Sequence, residues 1–238
     1  MKRSPFFVGI DLGTGSCKAA VVDATGRVLG SGVGEYAGAA AHDRWQEQDP
    51  HELLNATLLA VRRAVERAAA DLGDCGGLSV GGALHSVVAV DGRDEPLTGA
   101  ITWADGRAVD QARAVAGTPA GRELYRETGC PAHGMYPLYK VIWLRTHRPE
   151  LFRAARRYVS AKEFVCHRLT GSWQVDYSLA AGSGFLDTET LQWSERALEL
   201  AGIRSEQLSP LAAPDARLGA LQAEVAARMG LPAGTPVA

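Results

Sequence analysis

The chain has 238 residues, 46% of them hydrophobic, and a formal net charge of −2. This length can bury a sizeable core in one large or two small domains, and the charge gives no sign of a nucleic-acid or membrane-surface partner. No apolar run approaches the roughly 18 residues of a membrane-spanning helix. Four cysteines without paired spacing argue against a disulfide framework or a cysteine metal site, so we expect a cytoplasmic protein.

Residues 6–23 predict a β-hairpin whose turn suits an anion. An apolar strand ends at Asp11, a polar turn of glycine and hydroxyl residues spans 13–16, and a second strand carries Lys18. Backbone N–H groups and hydroxyls in such a turn can hold phosphate oxygens, and Asp11 can hold a hydrated Mg²⁺. The segment favours nucleotide chemistry, with an ordinary glycine-rich hairpin as the alternative interpretation.

Two other phosphate-binding motifs fit this segment poorly. A P-loop needs Ser or Thr after its lysine, whereas Lys18 precedes Ala19. The dinucleotide fingerprint needs a third glycine and the start of a helix, whereas residues 17–22 are short and rich in strand formers. A turn at 23–26 and a third strand at 27–33 complete an antiparallel meander.

Helices and strands alternate through the rest of the chain. Asp49 and Pro50 predict the start of an amphipathic helix, which the apolar spacing extends to Gly73. A buried strand at 78–83 is expected to continue at 86–91 into a hairpin. Further helices are expected at 105–115, 121–128, 138–146, 149–155, 161–169 and 218–229, with strands at 157–160 and from 235. The pattern predicts a single α/β domain.

A second group of polar residues follows predicted strands. His85 comes at the end of one strand, and Trp103, Asp105 and Arg107 lie in one short loop. Ligands of open α/β sheets collect at strand ends. Tryptophan can stack on a sugar, Asp and His can bind hydroxyls, and Arg can bind a carboxylate. Each residue alone has an ordinary structural explanation, such as a core Trp or a capping Asp, but together they predict a pocket for a polyhydroxy ligand.

A third loop, residues 129–137, is rich in turn formers and carries three side chains of interest. His133, Met135 and Tyr136 either line the same pocket or pack beneath it.

These segments resemble the FGGY family of carbohydrate kinases. The residues at 9–14, 84–86, 102–107 and 231–237 occur in the family's order and spacing, and those at 84–86, 102–107, 128–133, 175–178 and 180–182 are most similar to gluconokinases. The resemblance implies an α/β, ribonuclease-H-like domain of the actin-like ATPase type. Its mixed sheet would open in an antiparallel meander, with helices on both faces. Residues 1–238 would be the N-terminal, sugar-binding domain, without the C-terminal nucleotide domain.

The resemblance also assigns the candidate site residues and the ligands, ATP, Mg²⁺ and a small sugar or sugar acid. Asp11 would bind Mg²⁺ through water, and the ATP phosphates would face Thr14, Gly15, Ser16 and Lys18. The sugar site would be lined by His85, Trp103, Asp105 and Arg107, with His133 and Met135 as weaker candidates. For the carboxylate of a sugar acid, Arg107, Lys140 and His133 remain unranked.

The implied reaction is in-line transfer of the γ-phosphoryl group of ATP to a polyol hydroxyl, with D-gluconate as the first candidate and xylulose as the second. In the family the base is an Asp in a loop after the strand that begins at Pro236. That Asp would lie after Ala238, the last residue of this chain, so no catalytic base is expected among residues 1–238. We therefore expect no sugar-dependent ADP release by the isolated chain, which a coupled assay checks.

Two alternatives to a lone kinase fragment remain open from the sequence. The chain could be a non-catalytic sugar-binding or regulatory module, or it could be completed by a C-terminal half supplied as a separate polypeptide. An exposed cleft face and an open sheet edge would also favour self-association into a homo-oligomer.

Overall fold

Strands and helices occur throughout residues 5–37, 40–42 and 44–238, the part of the chain that the computed structural model describes. The strands are β1 (Phe6–Leu12), β2 (Ser16–Asp23), β3 (Val28–Glu35), β4 (Ala40–His42), β5 (Trp45–Gln48), β6 (Cys75–Gly82), β7 (Val88–Val90), β8 (Ala100–Ile101), β9 (Arg157–Val159), β10 (Val175–Asp176), β11 (Leu186–Asp187), β12 (Gln192–Trp193), β13 (Leu211–Ala212), β14 (Gly219–Ala220) and β15 (Pro236–Val237). The helices are α1 (Pro50–Ala68), α2 (Val109–Val115), α3 (Pro119–Thr128), α4 (Pro137–His147), α5 (Pro149–Ala154), α6 (Ala161–Thr170), α7 (Tyr177–Ala181), α8 (Glu195–Ala201) and α9 (Ala223–Met229).

A six-stranded mixed sheet is the base of the fold, in the order β14-β15-β6-β1-β2-β3. β1 pairs antiparallel with β2, and β2 pairs antiparallel with β3, which is the predicted opening meander. β6 then pairs parallel with β1, and β15 pairs parallel with β6. The predicted α/β class and mixed sheet are therefore confirmed.

Helix α1 lies unusually close to strand β3 because the facing residues lack bulk. Gly30, Gly32 and Gly34 alternate along β3, and a Cβ atom on any of them would overlap a backbone carbonyl oxygen of α1. The facing helix residues are all alanines four apart: Ala56, Ala60, Ala64 and Ala68. Two flat, small-residue surfaces thus bring the helix and strand backbones together.

The helices that share a core with this sheet lie on one of its faces. Buried residues of α1, α6 and α9 form a single cluster with Phe6 and Val8 of β1. The alternate β1 residues, Phe7, Gly9 and Asp11, are exposed. The buried face of β1 therefore packs against these three helices, while its opposite face is exposed in the described residues.

A second core supports the loops that follow the sheet strands. It packs residues of α2, α4 and α8 around Val87 and Ile101, which flank the loops of His85 and Trp103. Among the described residues, no helix combines the length and apolar character needed to cross a bilayer.

Two helix boundaries differ from the sequence predictions. Helix α1 ends at Ala68 rather than near Gly73, because Ala69 is left-handed (φ 48°) and Asp71 caps a separate short 3-10 turn. The segment predicted at 105–115 becomes helical only at Val109, since the Asp105 carboxylate first accepts the Arg107 backbone N–H and turns the chain.

One strand prediction and one further helix boundary also need correction. The segment predicted at 86–91 is shorter, and as β7 it pairs with β9 instead of continuing the main sheet. The helix predicted at 218–229 begins only at Ala223, because Gly219 and Ala220 extend the sheet as β14 beside β15.

Candidate active site

Three hydrogen bonds fix the turn of the first hairpin. The Gly13 N–H donates to the Ser16 carbonyl at 3.2 Å, and the Tyr36 hydroxyl donates to the Gly13 carbonyl. The Gln48 side-chain amide donates to the Thr14 carbonyl at 2.5 Å. Thr14 and Gly15 themselves are exposed, so the turn presents its outer surface to solvent in a fixed geometry.

Asp11 and Lys18 lie beside this turn. They are direct cross-strand partners in the β1–β2 register, and both are exposed, so their side chains share one face of the sheet. The described residues contain no cluster of three or more His, Cys, Asp or Glu side chains that could hold a metal. A single exposed carboxylate beside a cation fits a Mg²⁺ that keeps most of its waters and is shared with phosphate oxygens.

Trp103 joins this hairpin to the second predicted group. Its indole N–H donates to the Thr14 hydroxyl at 3.3 Å, although the two residues are 89 positions apart. The Trp103 residue is 48% exposed. Thr14, Leu84 and Trp103 line one cleft together, so the structure brings the predicted phosphate turn and sugar-binding loops to a common site.

His85 is held in an unusual backbone conformation next to that cleft. Its φ angle is 65°, in the left-handed region that costs a non-glycine residue about 1–2 kcal/mol. Its Nδ1 lies 2.6 Å from the Gly182 carbonyl, and its ring packs edge-on against Tyr136. Because a carbonyl can only accept, Nδ1 carries the hydrogen, and Nε2 of the neutral ring is an acceptor. Burial lowers the pKa of His85, which favours this neutral form.

Asp105 and Arg107 form a buried ion pair. The guanidinium donates to both Asp105 carboxylate oxygens at 2.8 Å, and the Gln46 backbone N–H donates to the same carboxylate at 2.6 Å. Their side chains are 0% and 2% exposed. The sequence predicted that both line the sugar site; the structure pairs the two buried side chains with each other, and their contact with a sugar stays a prediction.

Arg107 is further enclosed by a carboxylate and two indoles. Its guanidinium pairs with Glu47 at 2.6 Å and lies 4.2 Å and 5.0 Å from the ring centroids of Trp45 and Trp143. Cation–π contacts of this kind stabilise a desolvated guanidinium. The pair therefore holds the loop that carries Trp103 against β5 and α4.

Lys140 on α4 is also buried, with 0% exposure. Its ammonium donates to the carbonyl oxygens of His85 at 2.6 Å, Thr102 at 2.7 Å and Ile101 at 3.5 Å. Burial lowers the pKa of Lys140 to about 7, Asp105 opposes this shift, and Arg107 adds to it. Its charge is thus directed to backbone oxygens rather than to the cleft.

The lowered pKa of Lys140 predicts a specific pH dependence of stability. The unfolded chain keeps this proton to a pKa near 10.5, while the folded chain releases it near 7, so unfolding takes up a proton between these values. Raising the pH from 7 to 9.5 should therefore stabilise the wild type relative to Lys140→Met in urea unfolding. The exposed-strand variant Lys18→Met should keep the wild-type profile, and parallel profiles for wild type and Lys140→Met would contradict this prediction.

His133 and Met135 lie near His85 but are differently exposed. His133 is exposed and close enough to His85 to contribute to the lowering of its pKa, while Met135 is half-buried. The Met135 backbone N–H donates to His133 Nδ1 at 3.1 Å, so the neutral ring carries its hydrogen on Nε2. Among Arg107, Lys140 and His133, it is His133 that presents an exposed donor.

The last residue, Ala238, extends the pairing of β15 with β6. Its N–H donates to the Leu78 carbonyl at 2.9 Å, and its carbonyl accepts the Val80 N–H at 3.0 Å. Because β15 and β6 are parallel, Ala238 lies on the side of the sheet where β6 also ends, shortly before His85. The sequence predicted the catalytic Asp after Ala238. It remains a prediction, and the direction of β15 agrees with it.

Several residues that shape the site were not singled out from the sequence. Tyr36 and Gln48 fix the hairpin turn, Glu47 and Trp45 enclose Arg107, and Gly182 orients His85. The segment before α1 offered one usable signal, since it places an aromatic residue and three polar side chains directly ahead of a helix cap. Tyr36 and Gly182 contact the site from distant segments of the chain, so no local sequence pattern indicates their roles.

Comparison with known proteins identifies the class. Residues 6–238 match the sequence pattern of the family described as "FGGY family of carbohydrate kinases, N-terminal domain". Two solved structures from Lactobacillus acidophilus, a gluconate kinase and a ligand-bound xylulose kinase, superpose with TM-scores of 0.93 and 0.92 at 28% identity, each covering 98% of this chain and 47% of the other. These matches confirm the predicted actin-like ATPase fold.

The chain belongs to the FGGY family of carbohydrate kinases and matches its N-terminal domain. It is 35% identical to a gluconokinase of Bacillus licheniformis over 97% of this chain and 45% of that protein. It is 29% identical to a xylulose kinase of Escherichia coli over 94% of this chain and 46% of that protein. The chain thus spans about half the length of the curated relatives that it matches.

Proposed function

We propose that this chain forms the sugar-binding, N-terminal domain (residues 1–238) of a kinase that transfers the γ-phosphoryl group of ATP to a sugar acid, with D-gluconate as the preferred substrate. The observation that carries this proposal is the hydrogen bond between Trp103 and Thr14. This bond joins the indole that would stack on the sugar to the turn that would hold the phosphates, and in-line phosphoryl transfer requires the two substrates to meet in this way.

The hairpin would supply the phosphate end of the site. Thr14, Gly15 and Ser16 offer hydroxyls and backbone N–H groups to phosphate oxygens, and Lys18 adds positive charge. Asp11 would hold Mg²⁺ through water, and the bound ion would neutralise phosphate charge during transfer. The support is the exposure of Asp11, Thr14, Gly15 and Lys18 around one rigid turn.

Trp103 and the two histidines would supply the sugar end. Trp103 can stack on the carbon chain of a polyol, and Nε2 of His85 can accept a hydrogen bond from a hydroxyl. Met135 would pack at the edge of this pocket. Asp105 and Arg107 would act on the sugar indirectly, by holding the loop that carries Trp103 in place.

The base for the sugar hydroxyl would come from outside residues 1–238. We propose that the base is an Asp that follows Ala238, since the parallel strands β15 and β6 end on the same side of the sheet, near His85. Of the carboxylates near the site, Asp105 is paired with Arg107, and Asp11 would hold the metal. Neither is therefore assigned as the base.

Exposed His133 supports a substrate with a carboxylate. Its Nε2–H can donate to an anion, while the buried charge of Arg107 is paired with Glu47 and that of Lys140 is directed to backbone carbonyl oxygens. D-gluconate carries such a carboxylate and D-xylulose does not. The names of the relatives support both sugars, so D-xylulose is the second candidate.

The variant His133→Leu removes the proposed donor to the carboxylate. It should raise the KM for D-gluconate about tenfold, the size of one charged hydrogen bond, while the KM for D-xylulose should stay unchanged. His51→Leu, at a histidine paired with Glu95, is the matched control. Equal changes for both sugars would contradict the assignment of His133 to the carboxylate.

Two fusions provide the kinetic test of the whole proposal. Residues 1–238 would be joined to the C-terminal half of the Bacillus licheniformis gluconokinase in one and of the Escherichia coli xylulose kinase in the other. ADP release would be measured with D-gluconate, D-xylulose and glycerol. Preference for gluconate in both fusions is expected. Preference for xylulose in both would overturn the gluconate assignment, and folded fusions without turnover on any sugar would overturn the kinase proposal.

A further inference from the structure

Lys140 occupies a position that is unfavourable for a lysine. It is fully buried, and it lies in the first turn of α4, where the helix dipole repels a cation. The charge of Arg107 acts in the same direction and lowers the Lys140 pKa. Burial of an ammonium needs compensating contacts, so the contacts of its Nζ explain why a lysine is tolerated here.

Those contacts connect two separate loops. One ammonium donates to the carbonyl of His85 and to the carbonyl of Thr102, the residue before Trp103, at 2.6 and 2.7 Å. The Thr102 carbonyl has a second donor, the Asp105 N–H at 3.1 Å. For the His85 carbonyl, Lys140 is the sole hydrogen-bond donor found among the described residues. The conformation of His85 therefore depends on Lys140 more than the conformation of Thr102 does.

The His85 backbone needs such a restraint. At a φ of 65° the residue relaxes to the common β or α regions unless its surroundings hold it. The Gly182 carbonyl and the Tyr136 ring fix the imidazole, but neither contact holds the His85 carbonyl. A change at that carbonyl would rotate the peptide plane and move Nε2 relative to Trp103.

We propose that Lys140 is a positioning residue, which locks the His85 loop to the Trp103 loop and so sets the shape of the sugar pocket before a ligand binds. The functional part of this inference rests on the kinase function proposed above. Its structural part concerns the geometry of two loops and is measurable without any ligand.

The test compares three variants of the 238-residue chain by NMR. In Lys140→Met, the imidazole signals of His85 and the indole N–H signal of Trp103 should shift. Leu169→Ala removes a fully buried side chain of α6 and controls for lost stability, so both signals should stay in place. His85→Gln identifies the His85 signals. Unshifted signals in Lys140→Met, or equal shifts in Leu169→Ala, would overturn the proposal.

Sugar binding gives a second readout. In the gluconokinase fusion, Lys140→Met should raise the dissociation constant for D-gluconate about tenfold, as expected for loss of one well-placed contact, and Leu169→Ala should leave it unchanged below its melting temperature. Equal affinities of wild type and Lys140→Met would overturn the positioning role. If wild type binds no sugar, the proposed function fails, while the NMR comparison still decides the inference.

A measurement on the wild type covers the case in which Lys140→Met does not fold. At pH 5, where the folded chain keeps the charged form of Lys140, its ammonium protons should exchange slowly with solvent in a ¹⁵N-lysine spectrum and show cross-peaks to His85 and Thr102. The exposed Lys18 is the internal reference for fast exchange. Exchange of Lys140 as fast as that of Lys18 would overturn the proposal.

Discussion

Replacing Gly32 with alanine should destabilise the chain by about 3 kcal/mol or more, the upper range for overpacking a tight core. The added methyl group would overlap the Ala60 carbonyl oxygen and press on the Ala64 backbone. These are backbone atoms of α1, so no side-chain rotation can relieve the overlap. Urea unfolding followed by circular dichroism measures the loss, and the variant is expected to unfold at a much lower midpoint.

Gly9→Ala is the matched control. Gly9 also lies in the middle of a strand of the same sheet, but a Cβ there meets nothing within 4 Å. Since alanine has a better strand propensity than glycine, this variant should be as stable as the wild type. Equal stability of Gly32→Ala and Gly9→Ala would mean that α1 does not lie against β3 as closely as described.

Replacing Arg107 with methionine should cost about 3–5 kcal/mol, the usual loss when one partner of a buried ion pair is removed. Asp105 would remain buried with 0% of its side chain exposed and without its cation. Trp45 and Trp143 would also lose the guanidinium that both rings contact. Urea unfolding measures the loss, and the intrinsic fluorescence of the tryptophans should change in the folded state.

Two further variants separate the ion pair from general packing. Adding Asp105→Asn to Arg107→Met removes the uncompensated charge and should restore part of the stability. Arg113→Met breaks an exposed pair with Asp110 and should leave the unfolding midpoint unchanged. A double variant that is less stable than Arg107→Met alone would contradict the buried-pair explanation.

The opening meander was predictable because its signals are local. β1 alternates buried and exposed residues, and the Asp23 carboxylate accepts the Thr25 and Arg27 N–H groups in a turn that its sequence suggests. The close approach of α1 and β3 was visible in principle as alternating glycines in one segment and alanines four apart in another, but their pairing depends on a tertiary contact that neither segment specifies.

The site was predictable in its residue types and less so in their roles. An Asp and an Arg two positions apart can bind a ligand, and they can equally form an ion pair with each other. The pair is buried here because Trp45, Trp143 and Glu47 surround the guanidinium, and these contacts are not visible in the local sequence. Lys140 similarly entered as one of three possible carboxylate ligands. Its carbonyl contacts reach 38 to 55 positions along the chain, beyond the range of any local pattern.

The adjacency of the hairpin turn and the sugar pocket is tested most directly by NMR with Mn²⁺–ATP as a paramagnetic probe. We expect Mn²⁺–ATP to broaden the Gly15 amide and the Trp103 indole signals, and D-gluconate to shift the Trp103 and His85 signals. The internal control is the indole N–H signal of Trp193, which donates a hydrogen bond to the Ser209 carbonyl. This signal should stay sharp. Broadening of Trp193 or other remote signals with an unaffected Gly15 would contradict a shared site for phosphoryl transfer.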